Sequence, residues 1–290
     1  MSIVLTELIE RLSLEPIEEN LFRGKSQDLG LRQLFGGQVL GQALSAACQT
    51  IDDDRQPHSL HGYFLRPGDA TMPVVYQVDR VRDGRSFSTR RVTAIQKGQP
   101  IFTCIASFQP REQGLEHQAI MPDVPGPEDL VSEIEKASTG KQVFSERVRS
   151  RIMDDNPIEI RHVNPTPPMT PKSSPPVKHT WFRAARKLPD NPAIHKYILA
   201  YASDFDLLTT SMLPHGVSIW QNFMQVASLD HAIWFHSNVR ADEWLLYSME
   251  SPWADNARGL SRGSIFTQDG RLVASTAQEG LIRVREDWRA

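Results

Sequence analysis

The chain has 290 residues, 40% of them hydrophobic and 23% charged, with 32 Lys+Arg against 35 Asp+Glu and a net charge of −3. That is the composition of a soluble globular protein, long enough to bury roughly three-quarters of its unfolded surface without a metal or disulfide. It has no long basic run and nothing in it demands the basic face that nucleic acid requires, so no nucleic-acid partner is expected. No stretch approaches the roughly 20 apolar residues of a membrane span.

The N-terminus reaches Glu7 before any signal-peptide core can form. Asp287-Trp288-Arg289-Ala290 is not a peroxisomal ending. Cys48 and Cys104 lack metal or redox spacing and fall in apolar patterns, where Cys acts as a small hydrophobe. The expected compartment is the cytoplasm.

The first element with a clear period is a helix over residues 35–50, carrying Val39, Ala43 and Ala47 at i, i+4 and i+8, with Gly37 and Gly41 on a neighbouring face. A glycine inside a helix costs about 1 kcal/mol, which a close backbone approach would justify. Strands are predicted at 58–65, 73–80, 86–96 and 101–109, with Lys97-Gly98 turning between the last two. Proline then dominates. Ten of the twenty lie between Pro122 and Pro176, so residues 164–176 cannot form an interior strand or helix. Residues 113–178 read as a long crossing with one short helix near 129–136. They divide the chain into a unit at 1–112 and a second at 179–290.

After the crossing the order recurs. Ile194, Ile198, Tyr201, Phe205, Leu208 and Met212 trace a helical stripe, followed by strands at 224–236, 244–250, 259–267 and 271–280 and a turn at Asp269-Gly270. His61 and His231 lie 170 residues apart, and Gly98 and Gly270 lie 172 apart. A near-constant offset is the mark of a duplicated unit. Each unit would be α+β, a helix covered by a mostly antiparallel sheet. Subtracting about 170 sets Leu34, His58 and Ser107 opposite Asp204, Ser228 and Gln278.

Gly259-Leu260-Ser261-Arg262-Gly263 matches the G-x-S-x-G elbow of serine hydrolases. The elbow needs a strand-to-helix turn with an acid and then a His downstream. Here a strand and hairpin follow, and no His occurs after His236. Ser261 is therefore a strand residue. The nine His residues show no ligand spacing; His231 and His236 differ by an odd number and should point to opposite faces of their strand. Neither phosphate-binding glycine motif occurs, and no cofactor or metal is expected.

Three polar residues interrupt apolar patterns in the second unit: Asp204 in the helix, Ser228 at a strand entrance and Gln278 near the end of another strand. Gln278 shares a face with Leu272, Ala274 and Thr276, the side expected to be buried. Asp204 could instead sit exposed beside Asp206, and Ser228 could bond its own backbone. A buried Asp or Gln needs partners.

At these segments the chain resembles the acyl-CoA thioesterase II family. The stretches that carry the resemblance are residues 29–39 (LGLRQLFGGQV), 61–69 (HGYFLRPGD), 201–204 (YASD), 229–231 (LDH) with 234–236 (WFH), and 278–280 (QEG). It implies a double hotdog, two tandem units each with a long helix wrapped by an antiparallel sheet. It also implies a catalytic set of Asp204, Ser228 and Gln278, with Ser228 where some members carry Thr.

The implied reaction is hydrolysis of a fatty acyl-CoA thioester by an activated water, within fatty acid metabolism. Asp204 would be the general base, and Ser228 and Gln278 would hold the water. A backbone N–H at a helix start would meet the oxyanion. The family further implies acyl-CoA of medium to long chain as substrate, a homodimer or homotetramer, and no membrane insertion. Two other readings share the fold. A hydratase would want Asp-x-x-x-x-His, whereas Asp230 and His236 have five intervening residues. A non-catalytic acyl-CoA sensor would favour a wholly apolar lining.

Overall fold

The computed structural model describes residues 3–28, 33–131 and 157–285. Helix α1 (Ile3–Leu12) leads into short strands β1 (Glu15–Glu18) and β2 (Leu21–Gly24). Helix α2 (Gly36–Cys48) then precedes β3 (Arg55–Phe64), β4 (Val74–Asp83), β5 (Ser88–Gln96) and β6 (Gln99–Pro110). In the second half, β7 (Ile158–His162), β8 (Val177–Ala184), α3 (Pro192–Ala202) and a 3₁₀ segment (Leu208–His215) come before the remaining strands. These are β9 (Met224–Ser228), β10 (Asp230–Phe235), β11 (Leu245–Asp255), β12 (Arg258–Thr267) and β13 (Leu272–Val284).

Local chemistry accounts for the main boundaries. Asn191 caps α3 by accepting from Ala193 N at 3.0 Å, and Pro192 occupies the first helical position, where no N–H is needed. Lys97 and Gly98 both take positive φ (50° and 72°), as a two-residue hairpin joining β5 to β6 requires. Every residue of α2 from Gly37 to Ala47 is buried, because the sheet wraps one side of it and α3 the other.

All strand pairs are antiparallel. From the centre outward, the first unit runs β3-β6-β5-β4-β2-β1 and the second β10-β13-β12-β11-β8-β7. The two orders correspond strand for strand, and the units join where β3 pairs with β10, Asp230 opposite Tyr63 and Trp234 opposite Ser59. Among the described residues, no helix is long and apolar enough to cross a membrane.

The constant offset expected from the sequence does not extend to the helices. The starts of β4 and β11 are 171 residues apart, but those of α2 and α3 are 156 apart and their ends 154. The second unit takes up the difference between α3 and β9, in a segment with no counterpart before β3. Leu34 is therefore not the equivalent of Asp204. The residue two places beyond the end of α2 is Thr50, as Asp204 is two places beyond the end of α3.

Other elements and boundaries also differ from expectation. Helix α1 and strands β1, β2 and β7 are additions, and β7 with the start of β8 falls inside the span 113–178 read as a crossing. Ile158–His162 itself contains no proline and pairs with β8. The run 224–236 is two strands. Of the short helix near 129–136, a 3₁₀ turn at Pro127–Asp129 is described, and positions 132–136 lie outside the described residues, as do 29–32 of the resemblance. Residues 164–176 contain no strand or helix, and Ser174 N bonds Leu213 O at 3.1 Å, fastening that stretch to the 3₁₀ segment.

The two central helices run antiparallel at very short range. A Cβ on Gly37 would lie 2.2 Å from Tyr201 O, and one on Gly41 would lie 2.9 Å from Tyr197 O. Both obstacles are backbone of α3, which cannot rotate away. Gly37→Ala should therefore lower stability by about 1–3 kcal/mol, whereas Gly114→Ala, with nothing within 4 Å, should leave the denaturation midpoint unmoved. Equal midpoints for the two variants in a urea titration would refute the close-approach account.

Candidate active site

Asp204 owes its place to the way α3 stops. Ser203 turns its hydroxyl back onto Ala200 O at 2.9 Å, and Asp206 adopts a left-handed φ of 64°. The helical stripe expected to run on through Phe205, Leu208 and Met212 breaks here and resumes as the 3₁₀ segment. Across the gap lies the N-terminus of α2. Gly37 N–H donates to Asp204, and a Cβ on Gly36 would come within 2.7 Å of Asp204 Oδ2.

Ser228 closes β9. It faces Gly280 on β13, while Ala232 of β10 faces Ala277. Four steps along one strand thus oppose three along the other, a one-residue bulge. The bulge brings Ser228 and His231 to the same face, where simple alternation would separate them. Asp230 secures it by accepting from Glu279 N at 2.6 Å.

Gln278 is the meeting point. Its Nε2 lies 2.8 Å from Asp204 Oδ1, 3.1 Å from Ser228 Oγ and 3.2 Å from His231 Nδ1. The three residues expected from the sequence therefore converge, and His231 joins them. His231 and His236 do lie on opposite faces, one buried and the other exposed, as parity requires. It is Ser228 and His231, three apart, that the bulge brings together. Nothing in the hydrophobic pattern signals it, so that only the stretch Leu229-Asp230-His231 marked the position. Gln278 Oε1 is buried without a hydrogen-bond partner among the described residues. Partly buried Phe35, Phe64 and Phe205 stand around Asp204, with Phe35 stacked on Phe205 at 4.7 Å.

Burial raises the Asp204 pKa above the ordinary carboxylate value, against the Gln278 amide and Gly37 N–H, which favour its ionised form. Burial pushes His231 down to about 3, so its ring is neutral. Asp206, two residues on, is also desolvated, but Lys178 Nζ at 2.6 Å and His162 Nδ1 at 3.4 Å outweigh that and hold it at about 2. The alternative of Asp204 exposed beside Asp206 does not hold, since the two carboxylates have separate partners.

The other candidates separate cleanly. Ser261 lies mid-strand in β12, 0% exposed, opposite Gln278 in register, and has no hydrogen-bond partner among the described residues. The Asp230 carboxylate bonds Glu279 N, while His236 Nε2 bonds Ser275 Oγ at 2.9 Å. They do not form a hydratase pair. Among the described residues no three His, Cys, Asp or Glu side chains are grouped to hold a metal ion.

In the first unit, His58 and Ser107 do meet, at 2.9 Å, but on the opposite face of the sheet from buried Arg90. Ser107 alternates with buried Ala106 and Phe108, and Arg90 stands opposite Ala106, so Ser107 is not the counterpart of the inward-facing Gln278. In the corner that does correspond, the place of the acid belongs to Thr50. Buried Arg90 of β5 donates to Thr50 Oγ1 and Thr50 O, both at 2.9 Å, and to Asp83 at 2.6 Å. That corner is filled by an ion pair.

Asp206 is a structural acid by the same geometry. Its folded pKa lies below the unfolded value near 3.8, so its contribution is fully present above that pH and is lost as pH falls through about 2. Asp206→Asn, which tolerates the left-handed backbone, should cost about 2 kcal/mol at pH 7 and progressively less in acid. Urea titrations of both proteins at several pH values check this; a pH-independent difference would contradict the assignment.

Both halves of the chain match known sequence families. The family described as "Acyl-CoA thioesterase N-terminal domain" matches residues 25–109, and that described as "Acyl-CoA thioesterase" matches residues 150–281. The chain is 44% identical to acyl-CoA thioesterase 2 of Haemophilus influenzae over 286 residues, 99% of this chain and 100% of that protein. It is 42% identical to human acyl-coenzyme A thioesterase 8, covering 94% of this chain and 88% of the relative. The crystal structure of the acyl-CoA thioesterase II TesB2 from Mycobacterium marinum superposes with a TM-score of 0.79 at 42% identity, covering 97% of this chain and 99% of that one. Identity of this extent, spanning both units and their shared site, means that the chain belongs to the acyl-CoA thioesterase family and has the double-hotdog fold.

Proposed function

We propose that the protein hydrolyses fatty acyl-CoA thioesters to fatty acid and CoA by direct attack of a water held between Asp204, Ser228 and Gln278. The observation that carries this is their convergence, from a helix end and two strands, beside one nearly buried carboxylate. Ionised Asp204 takes a proton from the water as hydroxide character develops. The oxygen adds to the thioester carbonyl, and the tetrahedral intermediate collapses with loss of the CoA thiolate. The proton held by Asp204 then leaves with the products.

Ser228 and the Gln278 amide orient the water. The α2 N-terminus supplies positive potential where the oxyanion forms. No acyl-enzyme is required. The aromatic side chains of Phe35, Phe64 and Phe205 around Asp204 suit an apolar acyl group of medium to long chain. The free thiols of Cys48 and Cys104 support a reducing cytoplasm, and the outer strands β1 and β7 support assembly of a homodimer or homotetramer through sheet edges.

Release of free CoA, followed with a thiol-reactive dye, tests this directly, because neither a hydratase nor a sensor liberates the thiol. Asp204→Asn should lower kcat by roughly 10²–10⁴ and Gln278→Ala by roughly 10²–10³. Ser228→Thr should stay within about tenfold, and Ser261→Ala within about threefold. The Asp204→Asn, Gln278→Ala double variant should fall well short of the product of the single losses. Full additivity in folded proteins would mean that the residues do not share a water.

Because the Asp204 pKa is raised, the ionised base is lost at a higher pH than for an ordinary Asp. The acid limb of the kcat profile should accordingly lie above about pH 4. A limb at or below the ordinary carboxylate value would remove Asp204 from the role of base.

A further inference from the structure

We infer that His231 is a positioning residue for hydrolysis: its Nδ1 lone pair, directed by Ser203, locks the Gln278 amide with its NH₂ toward Asp204 and Ser228. This rests on the reading of those three residues as the water-holding set.

The hydrogen-bond connectivity fixes the tautomer. Ser203 has one hydroxyl proton, and Ala200 O, a pure acceptor 2.9 Å away, takes it. His231 Nε2 lies 2.9 Å from the same Ser203 Oγ, so Nε2 must carry the imidazole proton and Nδ1 the lone pair. Nδ1 then faces Gln278 Nε2 at 3.2 Å as an acceptor. Tyr247 holds the other side of Ser203, donating its hydroxyl to Ser203 O at 2.8 Å. Ser203, His231 and Gln278 are 0%, 1% and 1% exposed, so none of these contacts competes with bulk water.

The amide has two protons and three acceptors around its nitrogen. Turning it over would set Oε1 against both Asp204 Oδ1 and His231 Nδ1. While Asp204 is ionised, it alone would hold the amide in place. During turnover Asp204 takes up the water's proton and that hold weakens. His231 stays neutral, since burial keeps it unprotonated down to about pH 3, and so preserves the orientation through the step in which the carboxylate cannot.

The two ring nitrogens can be tested separately. His231→Asn places an amide oxygen near the position of Nδ1, and His231→Gln keeps a polar contact toward Ser203 but has no acceptor for Gln278. His231→Gln should lower kcat roughly tenfold to a hundredfold with KM within about twofold, and His231→Asn should recover most of that loss. In the Gln278→Ala background, His231→Gln should have no further effect on kcat.

An equal loss in both backgrounds, a change confined to KM, or equally poor Asn and Gln variants would overturn the inference. Should His231→Gln fail to fold, Ser203→Ala replaces it. A several-fold kcat loss that vanishes in the Gln278→Ala background supports the relay, and no loss in the wild-type background overturns it. If Gln278→Ala itself leaves kcat intact, the reading of the water-holding set has failed and the inference falls with it. A large Gln278→Ala loss with an uncoupled His231 defeats the inference alone.

Discussion

The contact on which the molecule depends is the crossing of α2 over the end of α3, where Gly37 approaches Tyr201 O too closely for any side chain. It presses the first unit's helix start against the second unit's helix end, and the site lies at that junction. Asp204 receives its backbone hydrogen bond from one unit and its side-chain hydrogen bond from the other. A wider helix separation would leave the carboxylate wet and ordinary. The same proximity raises its pKa through burial while keeping it within reach of oriented donors. Desolvation and hydrogen bonding act here in opposition, and burial prevails.

Two aspartates two residues apart show how sharply the backbone can divide such roles. The left-handed turn at Asp206 sends its carboxylate to Lys178 and His162, while Asp204 remains on the helix side and faces Gln278. One acid is held well below the usual range and serves as an anchor. Its neighbour is shifted upward toward the range useful to a base.

Much of the architecture was readable in advance. The strands β3 to β6 and both hairpin turns follow from side-chain alternation and turn residues, since those strands bury one face more than the other. Helix α2, buried on all sides, shows itself through the helical spacing of Val39, Ala43 and Ala47. The parts that escaped depend on tertiary pairing. Strands β1 and β7 are edge strands of four and five residues, too short to display an alternation. Helix α1 has Leu5, Leu8 and Leu12 at helical spacing but only ten residues in which to show it. Asp204, Ser228 and Gln278 were weak candidates as pattern breaks, and their joint assignment came from family resemblance. His231 escaped because a single inserted residue in a strand reverses the parity of everything beyond it, and parity is all that a strand pattern offers.

The corner filled by Arg90 bears on why two such units share one chain. A symmetric pair of identical hotdog subunits must carry the same residues at both of its helix crossings, so a change that improves one crossing is imposed on the other. Joined in tandem, the copies are free to become unlike. Here one crossing retains an acid whose burial is costly. The other has Thr50, Arg90 and Asp83, an arrangement with every charge matched. On the mechanism proposed above, covalent fusion permits a division of labour in which the half without the catalytic set is free to serve rigidity alone, and the half that carries it draws on a partner that never dissociates.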